Sequence, residues 1–171
     1  MKRPVISIPI SKTERMLDIA SALLMLLTFV YLLSIWNDLP QRIPTHFNAA
    51  GEPDGWGGKE EIWTLPIIGL LLFIFISVLC KFPQLFNYPV QVTAENAPRL
   101  YLWGRQTMKW LNFELVFFFS LGSWHSVQAA FKETGLGIWY LPALIIVIFG
   151  TIIISLIRFQ RKIREGRNYE Q

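Results

Sequence analysis

Four long apolar runs constrain this chain more than any other feature: Met16–Trp36, Ile62–Cys80, Trp110–Phe131 and Trp139–Ile157. Each exceeds the roughly 17 residues that a helix needs to cross the hydrocarbon core of a bilayer. The second and fourth carry no charge, the first carries only Asp18, and the third carries Glu114 and His125. Lipid offers the backbone no hydrogen-bond partners, so such runs are helical. Composition agrees, with 53% apolar and 16% charged residues in a one-domain length of 171. The expected fold is an all-α integral membrane protein. Residues 1–171 form one four-span domain, with a turn-rich loop at 37–61 and a second loop at 81–109.

The net charge of +4 becomes informative once it is mapped. Thirteen of the sixteen Lys and Arg residues lie before the first run, between the second and third, or after the fourth. The other two connections hold only Arg42, Lys59 and Lys132. This asymmetry excludes a nucleic-acid reading and, by the positive-inside rule, puts both termini and the middle loop in the cytoplasm. The expected location is the bacterial inner (plasma) membrane, with loop 37–61 facing outward. The first run is too long for the core of a cleaved signal peptide. Ser11-Lys12-Thr13-Glu14 instead has the pattern of a capping box that opens the first helix. Cys80 is the only cysteine, so no intramolecular disulfide is expected.

Pro83 and Pro89 keep the start of the middle loop from being helical. Thr93 or Asn96 can then cap a helix that runs through Tyr101, Gln106 and Lys109 into the third span. Leu100, Trp103, Thr107 and Trp110 on one side, with Arg99, Arg105 and Lys109 beside them, predict a cytoplasmic interfacial helix before that span. After the fourth run, Arg158, Arg161, Lys162 and Glu165 continue at helical spacing. They form either a stop-transfer flank or a patch for anionic lipid.

Ionisable groups inside spans are costly and therefore of interest. Glu114 and His125 share a helix face, separated by about three turns and roughly 16 Å, so they cannot touch. They either line a proton or cation path or have local partners, Glu114 with Lys109 or Arg105 and His125 with a neighbouring helix. Gly122, Ser126 and Ala130 form a row of small residues beside His125, which suits the close approach of another helix. Asp18 is expected to pair with Arg15 or with the middle loop.

Loop 37–61 is long for a structureless connection. Arg42–Phe47 alternates apolar and polar residues and reads as a short extended segment. Asn48–Gly51 and Glu52–Gly55 each have the residue order of a type I turn. The loop is expected to form a compact cap over one end of the bundle, with Trp56 and Trp63 at the membrane boundary. His46, Asn48, Glu52 and Asp54 are in principle ligating, but their spacing fits no metal motif. No nucleophile has a base at a defensible spacing, so no catalytic residue, metal or cofactor is assigned.

Leu39–Lys59, "LPQRIPTHFNAAGEPDGWGGK", resembles the signature of a bacterial membrane family, domain of unknown function 1648. Pro44, His46, Phe47, Asn48, Gly51, Asp54, Gly55, Trp56 and Lys59 match its pattern. Phe86–Tyr101, "FNYPVQVTAENAPRLY", is similar to a second segment found in many such proteins. The same domain forms the N-terminal part of SdpI-type immunity proteins, which protect bacteria from a secreted toxic peptide and signal to a repressor. With its last apolar run at Trp139–Ile157, the chain is expected to lack that family's C-terminal region. The resemblance implies a non-enzymatic binding, sensing or immunity-like module whose outward cap contacts a peptide, envelope component or partner. The alternative is a small homo-oligomeric transporter, or a transporter subunit, working through Glu114 and His125.

Overall fold

A computed structural model describes residues 3–132 and 135–167, and the side chains of 162–167 lie outside the description. Helix α1 spans Lys12–Ile35. Strands β1 (Arg42–Phe47) and β2 (Pro53–Gly58) form an antiparallel hairpin. A 3-10 turn, Lys59–Trp63, leads into α2 at Thr64–Leu79. Helix α3 runs unbroken over Ala97–Lys132, and α4 covers Tyr140–Arg167. The expected basic flank is thus helical, with Arg158 and Arg161 exposed, whereas Lys2 and the side chains of Lys162, Arg164, Glu165 and Arg167 lie outside the described residues.

Helix α3 is the hub, and α1, α2 and α4 all pack against it. The stretches Lys12–Ile35, Lys59–Leu79 and Tyr140–Arg161 are long and apolar enough to cross a membrane. Three to four helices can therefore span, depending on α3, whose buried face carries Asn112, Glu114, Ser120, Ser123 and Ser126. The outward surface is the apolar one. Leu23, Leu26, Leu27, Val30 and Leu33 are exposed on α1, as are Ile67, Ile68, Leu71, Ile74 and Phe75 on α2. On α4 the exposed residues include Ile145, Ile146, Phe149, Ile153 and Ile154. Polar groups inside and aliphatic groups outside is the arrangement a bilayer stabilises, because water would leave these faces uncovered.

The row of small residues is buried, but side chains and a cavity, not a close helix, lie against it. Gly122, Ser126 and Ala130 are all buried. A β-carbon at Gly122 would stand 2.5 Å from the hydroxyl of Tyr140, which donates to Phe118 O at 2.6 Å. The side chains of Tyr140 and Leu65, rather than a neighbouring helix backbone, therefore fill the space that Gly122 leaves. The Ser11 capping box is also present: Glu14 N donates to Ser11 Oγ at 3.3 Å, and Ser11 N donates to Glu14 Oε2 at 2.7 Å.

Three expectations are corrected. The interfacial helix is not a separate element but the start of α3, and much of its apolar side packs within the protein. Ala97, Leu100 and Tyr101 are buried with Phe159, under Ile6, Ile8, Tyr88 and Val92. The extended segment before α1 covers this face, and Tyr101 Oη donates to Pro4 O at 2.8 Å. Burial also pushes the Tyr88 hydroxyl above its ordinary range, so it stays a donor, here to Pro83 O. Secondly, Glu52–Gly55 is not a turn. Pro53 opens β2, which adds a small sheet to an otherwise helical chain.

Thirdly, the pairing of Glu114 with Lys109 or Arg105 does not occur. Arg105 turns to Glu14, with Nε to Oε1 at 2.6 Å, and Lys109 Nζ reaches Asp18 Oδ1 at 2.6 Å. Glu114 Oε1 instead accepts from Thr151 on α4 at 2.5 Å. Contacts between helices decide these partners, since both cations reach carboxylates of α1, which packs against α3. Asp18 thus finds its partner in the middle loop region, as its sequence context implies.

Candidate functional site

The hairpin sits where α1 ends and α2 begins. Leu32, Leu39, Ile43, Ile62, Val127 and Ala130 form a buried cluster beneath it, flanked by Tyr31, Ile35, Trp36 and Trp63. Lys59 closes its base by donating to Trp36 O at 3.3 Å, with its ammonium 4.6 Å from the Trp36 ring centre. That contact combines a hydrogen bond with a cation–π attraction. Pro44 is buried on β1, whereas Trp56 is exposed on β2 with the Arg42 guanidinium 6.0 Å from its ring.

The register explains the two polar side chains at the centre. Pro44 faces Trp56, His46 faces Gly55, and Phe47 faces Pro53. Thr45 on β1 and Asp54 on β2 are each left without an opposite residue. Such irregularities re-aim side chains, and here they place His46 Nδ1 in contact with Asp54 Oδ1. Gly55 permits the approach, because a β-carbon there would lie 2.8 Å from His46 Cβ. The pair is open to water, with side chains 73% and 43% exposed. Exposed pairs contribute little to stability. Asp54→Asn and His46→Ala are each expected to change unfolding stability by less than about 1 kcal/mol, read by denaturant titration in detergent micelles. A clearly larger loss would make the pair an anchor of the hairpin.

Asn48 organises the tip. Its Oδ1 accepts from Ala50 N at 2.9 Å and from Glu52 N at 3.0 Å. Gly51 N donates to Asn48 O at 2.8 Å, which closes the first of the two expected turns. Gly51 has φ of 78°, and its carbonyl accepts from Leu136 N at 2.7 Å. The tip is thereby tied to the connection between α3 and α4.

Under β1 lies a cavity of about 240 Å³. Its walls come from Ile43–Asn48 on one side, Ile62, Thr64 and Leu65 at the start of α2, Ser126 on α3, and Leu136, Gly137, Tyr140 and Leu141 leading into α4. Most of the lining is apolar, with Thr45, His46, Asn48, Glu61, Ser126 and Tyr140 as polar exceptions. Among the residues read from sequence, Pro44, His46, Phe47, Asn48 and Gly51 border this space. Asp54, Gly55, Trp56 and Lys59 shape the hairpin from its far strand or base. Neither Glu114 nor His125 borders it. The His125 ring instead meets Trp124 and Tyr140 edge-on, at 4.9 and 6.1 Å between centres. Sequence reading missed Leu136–Leu141 as a wall. The only signal was the pair of glycines, Gly135 and Gly137, between the last two apolar runs. Among the described residues no cluster of three or more His, Cys, Asp or Glu could hold a metal ion.

Residues 23–70 match the family model of the domain of unknown function DUF1648. The match covers the second half of α1, the whole hairpin and the start of α2, so the hairpin and its two supports carry the domain that Leu39–Lys59 resembles. An uncharacterized protein of Archaeoglobus fulgidus is 32% identical over 89 residues, covering 47% of this chain and 49% of the archaeal one. The chain thus spans about half the length of the curated relative that it matches. No solved structure matches it.

Proposed function

We propose that this chain is a non-enzymatic binding or sensing protein of the bacterial plasma membrane, immunity-like in action, with both termini in the cytoplasm and the hairpin facing outward. The observation that carries this reading is the cavity of about 240 Å³ beneath β1, bordered by His46 and floored by Ser126. Its size and mostly apolar wall suit one or two apolar side chains of a peptide, or the end of an amphiphile. The unpaired edge of β1 runs beside it and offers backbone groups to an extended chain. The orientation rests on the distribution of Lys and Arg.

A strain lacking the gene, challenged with a panel of secreted membrane-active peptides, tests the reading. The wild-type protein is expected to restore resistance to at least one peptide. Ser126→Leu, which fills the cavity floor, and Asp54→Asn, which leaves folding intact, are expected to abolish that resistance at unchanged protein level. Full protection by both variants, or a loss that merely tracks lower protein level, would make the cap structural.

A further inference from the structure

A groove of about 440 Å³ opens between α1 and α2 at the end of the bundle opposite the hairpin. Ile19, Ala22, Phe73, Ile74 and Val78 give it an apolar floor and sides. Its polar end is made by Asp18, Ser77 and Lys81. Asp18 sits in the second turn of α1, and Lys81 lies just past the end of α2, so both belong to one level of the antiparallel pair.

The charges at that end are only half matched within the protein. Asp18 Oδ1 accepts from Lys109 Nζ at 2.6 Å, while Oδ2 makes no hydrogen bond among the described residues, and the side chain is 36% exposed. Lys81 is exposed and has no carboxylate partner among the described residues. Ser77 Oγ accepts from Asn112 Nδ2 at 3.2 Å, which leaves its own hydroxyl proton to donate. Of the apolar lining, Ile19, Ile74 and Val78 are themselves exposed, as lipid-facing residues are.

We propose that this groove binds one phospholipid with a primary-ammonium headgroup, phosphatidylethanolamine being the simplest. Its phosphate accepts from Lys81, its ammonium donates to Asp18 Oδ2, and one acyl chain lies over Ile19, Ala22 and Ile74. The argument is charge complementarity at two points of opposite sign beside an apolar trough. A choline headgroup has no N–H to give Asp18. A glycerol headgroup can give Asp18 a hydroxyl hydrogen bond but brings no positive charge, so it lacks the ion-pair attraction that an ammonium adds.

Native mass spectrometry of the full chain in detergent, supplied in turn with phosphatidylethanolamine, phosphatidylcholine and phosphatidylglycerol at equal concentration, tests this. One phosphatidylethanolamine per chain is expected to be retained about tenfold better than either competitor, the worth of one charge-assisted hydrogen bond. Asp18→Asn should remove most of that preference, whereas Lys81→Gln should lower the retention of all three lipids, since each carries the phosphate. Ala22→Phe, at an exposed position of α1 where folding is not at stake, should block retention by filling the trough. Equal retention of the three lipids, a preference for phosphatidylglycerol, or unchanged phosphatidylethanolamine retention in Ala22→Phe would each overturn the proposal.

Discussion

Arg105→Ala is expected to destabilise the protein by about 3–5 kcal/mol, the range for removing one partner of a buried ion pair. Arg105 forms a two-pronged contact with Glu14, Nε to Oε1 at 2.6 Å and Nη2 to Oε2 at 3.0 Å. The same guanidinium donates to Ile8 O at 2.9 Å and to Pro9 O at 2.8 Å. It thus holds the segment before α1, the first turn of α1 and the body of α3 at one point. Glu14 is 1% exposed, so alanine at 105 would leave a desolvated carboxylate and two carbonyls without their donor. Arg105→Lys keeps the charge but not the planar fork, and an intermediate loss follows. The double variant Arg105→Met with Glu14→Leu removes both charges together and is expected to lose less than Arg105→Ala alone. Denaturant titration in micelles separates these cases. A Glu14→Leu/Arg105→Met protein weaker than Arg105→Ala would mean that packing around the pair, rather than its charge, carries the effect.

Much of the scaffold was legible because its signals are local. The capping box at Ser11 and Glu14, the apolar runs, the extended segment Arg42–Phe47 and the turn at Asn48 each depend on residues a few positions apart. The spacing of Gly122, Ser126 and Ala130 is local as well, and it marked a buried face of α3, although side chains rather than a close helix cover Gly122. Two of the misreadings involve long-range choices, and the third a local choice between turn and strand. Lys109 lies five residues from Glu114, yet it pairs with Asp18 because α1 packs against that face of α3. Tyr101 looked interfacial because nothing nearby in sequence covers it, and its partner Pro4 is 97 residues away. Pro53 and Gly55 carry turn residues, but Pro is also tolerated at the first residue of a strand. The lack of an opposite partner for Asp54 lets β2 continue where a turn was expected. The candidate site was half legible for the same reason. Its near wall is a contiguous stretch, whereas Ser126 and Leu136–Leu141 reach it only through packing.

Gly51→Ala is expected to detach the hairpin tip while leaving the helices folded. Gly51 adopts φ of 78°, a region that costs an alanine roughly 1–2 kcal/mol. A β-carbon there would also stand 2.6 Å from Gly137 O and 2.8 Å from Gly137 C and N. Those are backbone atoms, so no side-chain rotation relieves the clash. Moving apart breaks the bond from Leu136 N to Gly51 O, worth about 1 kcal/mol net. The combined cost, about 2–4 kcal/mol, falls on a contact between two connections rather than on the helix packing. It should appear in hydrogen exchange as faster opening of residues 48–52 and 135–137, with the spans of α1 and α2 unchanged. Gly137 provides the control. It has φ of 82°, but a β-carbon there meets nothing within 4 Å, so Gly137→Ala should cost only the conformational part. If the two variants open the tip equally, the close approach to Gly137 is not what holds it. If Gly51→Ala alone loosens it, the far wall of the cavity depends on this one glycine carbonyl, and ligand capture by the cap should fall with the exchange protection.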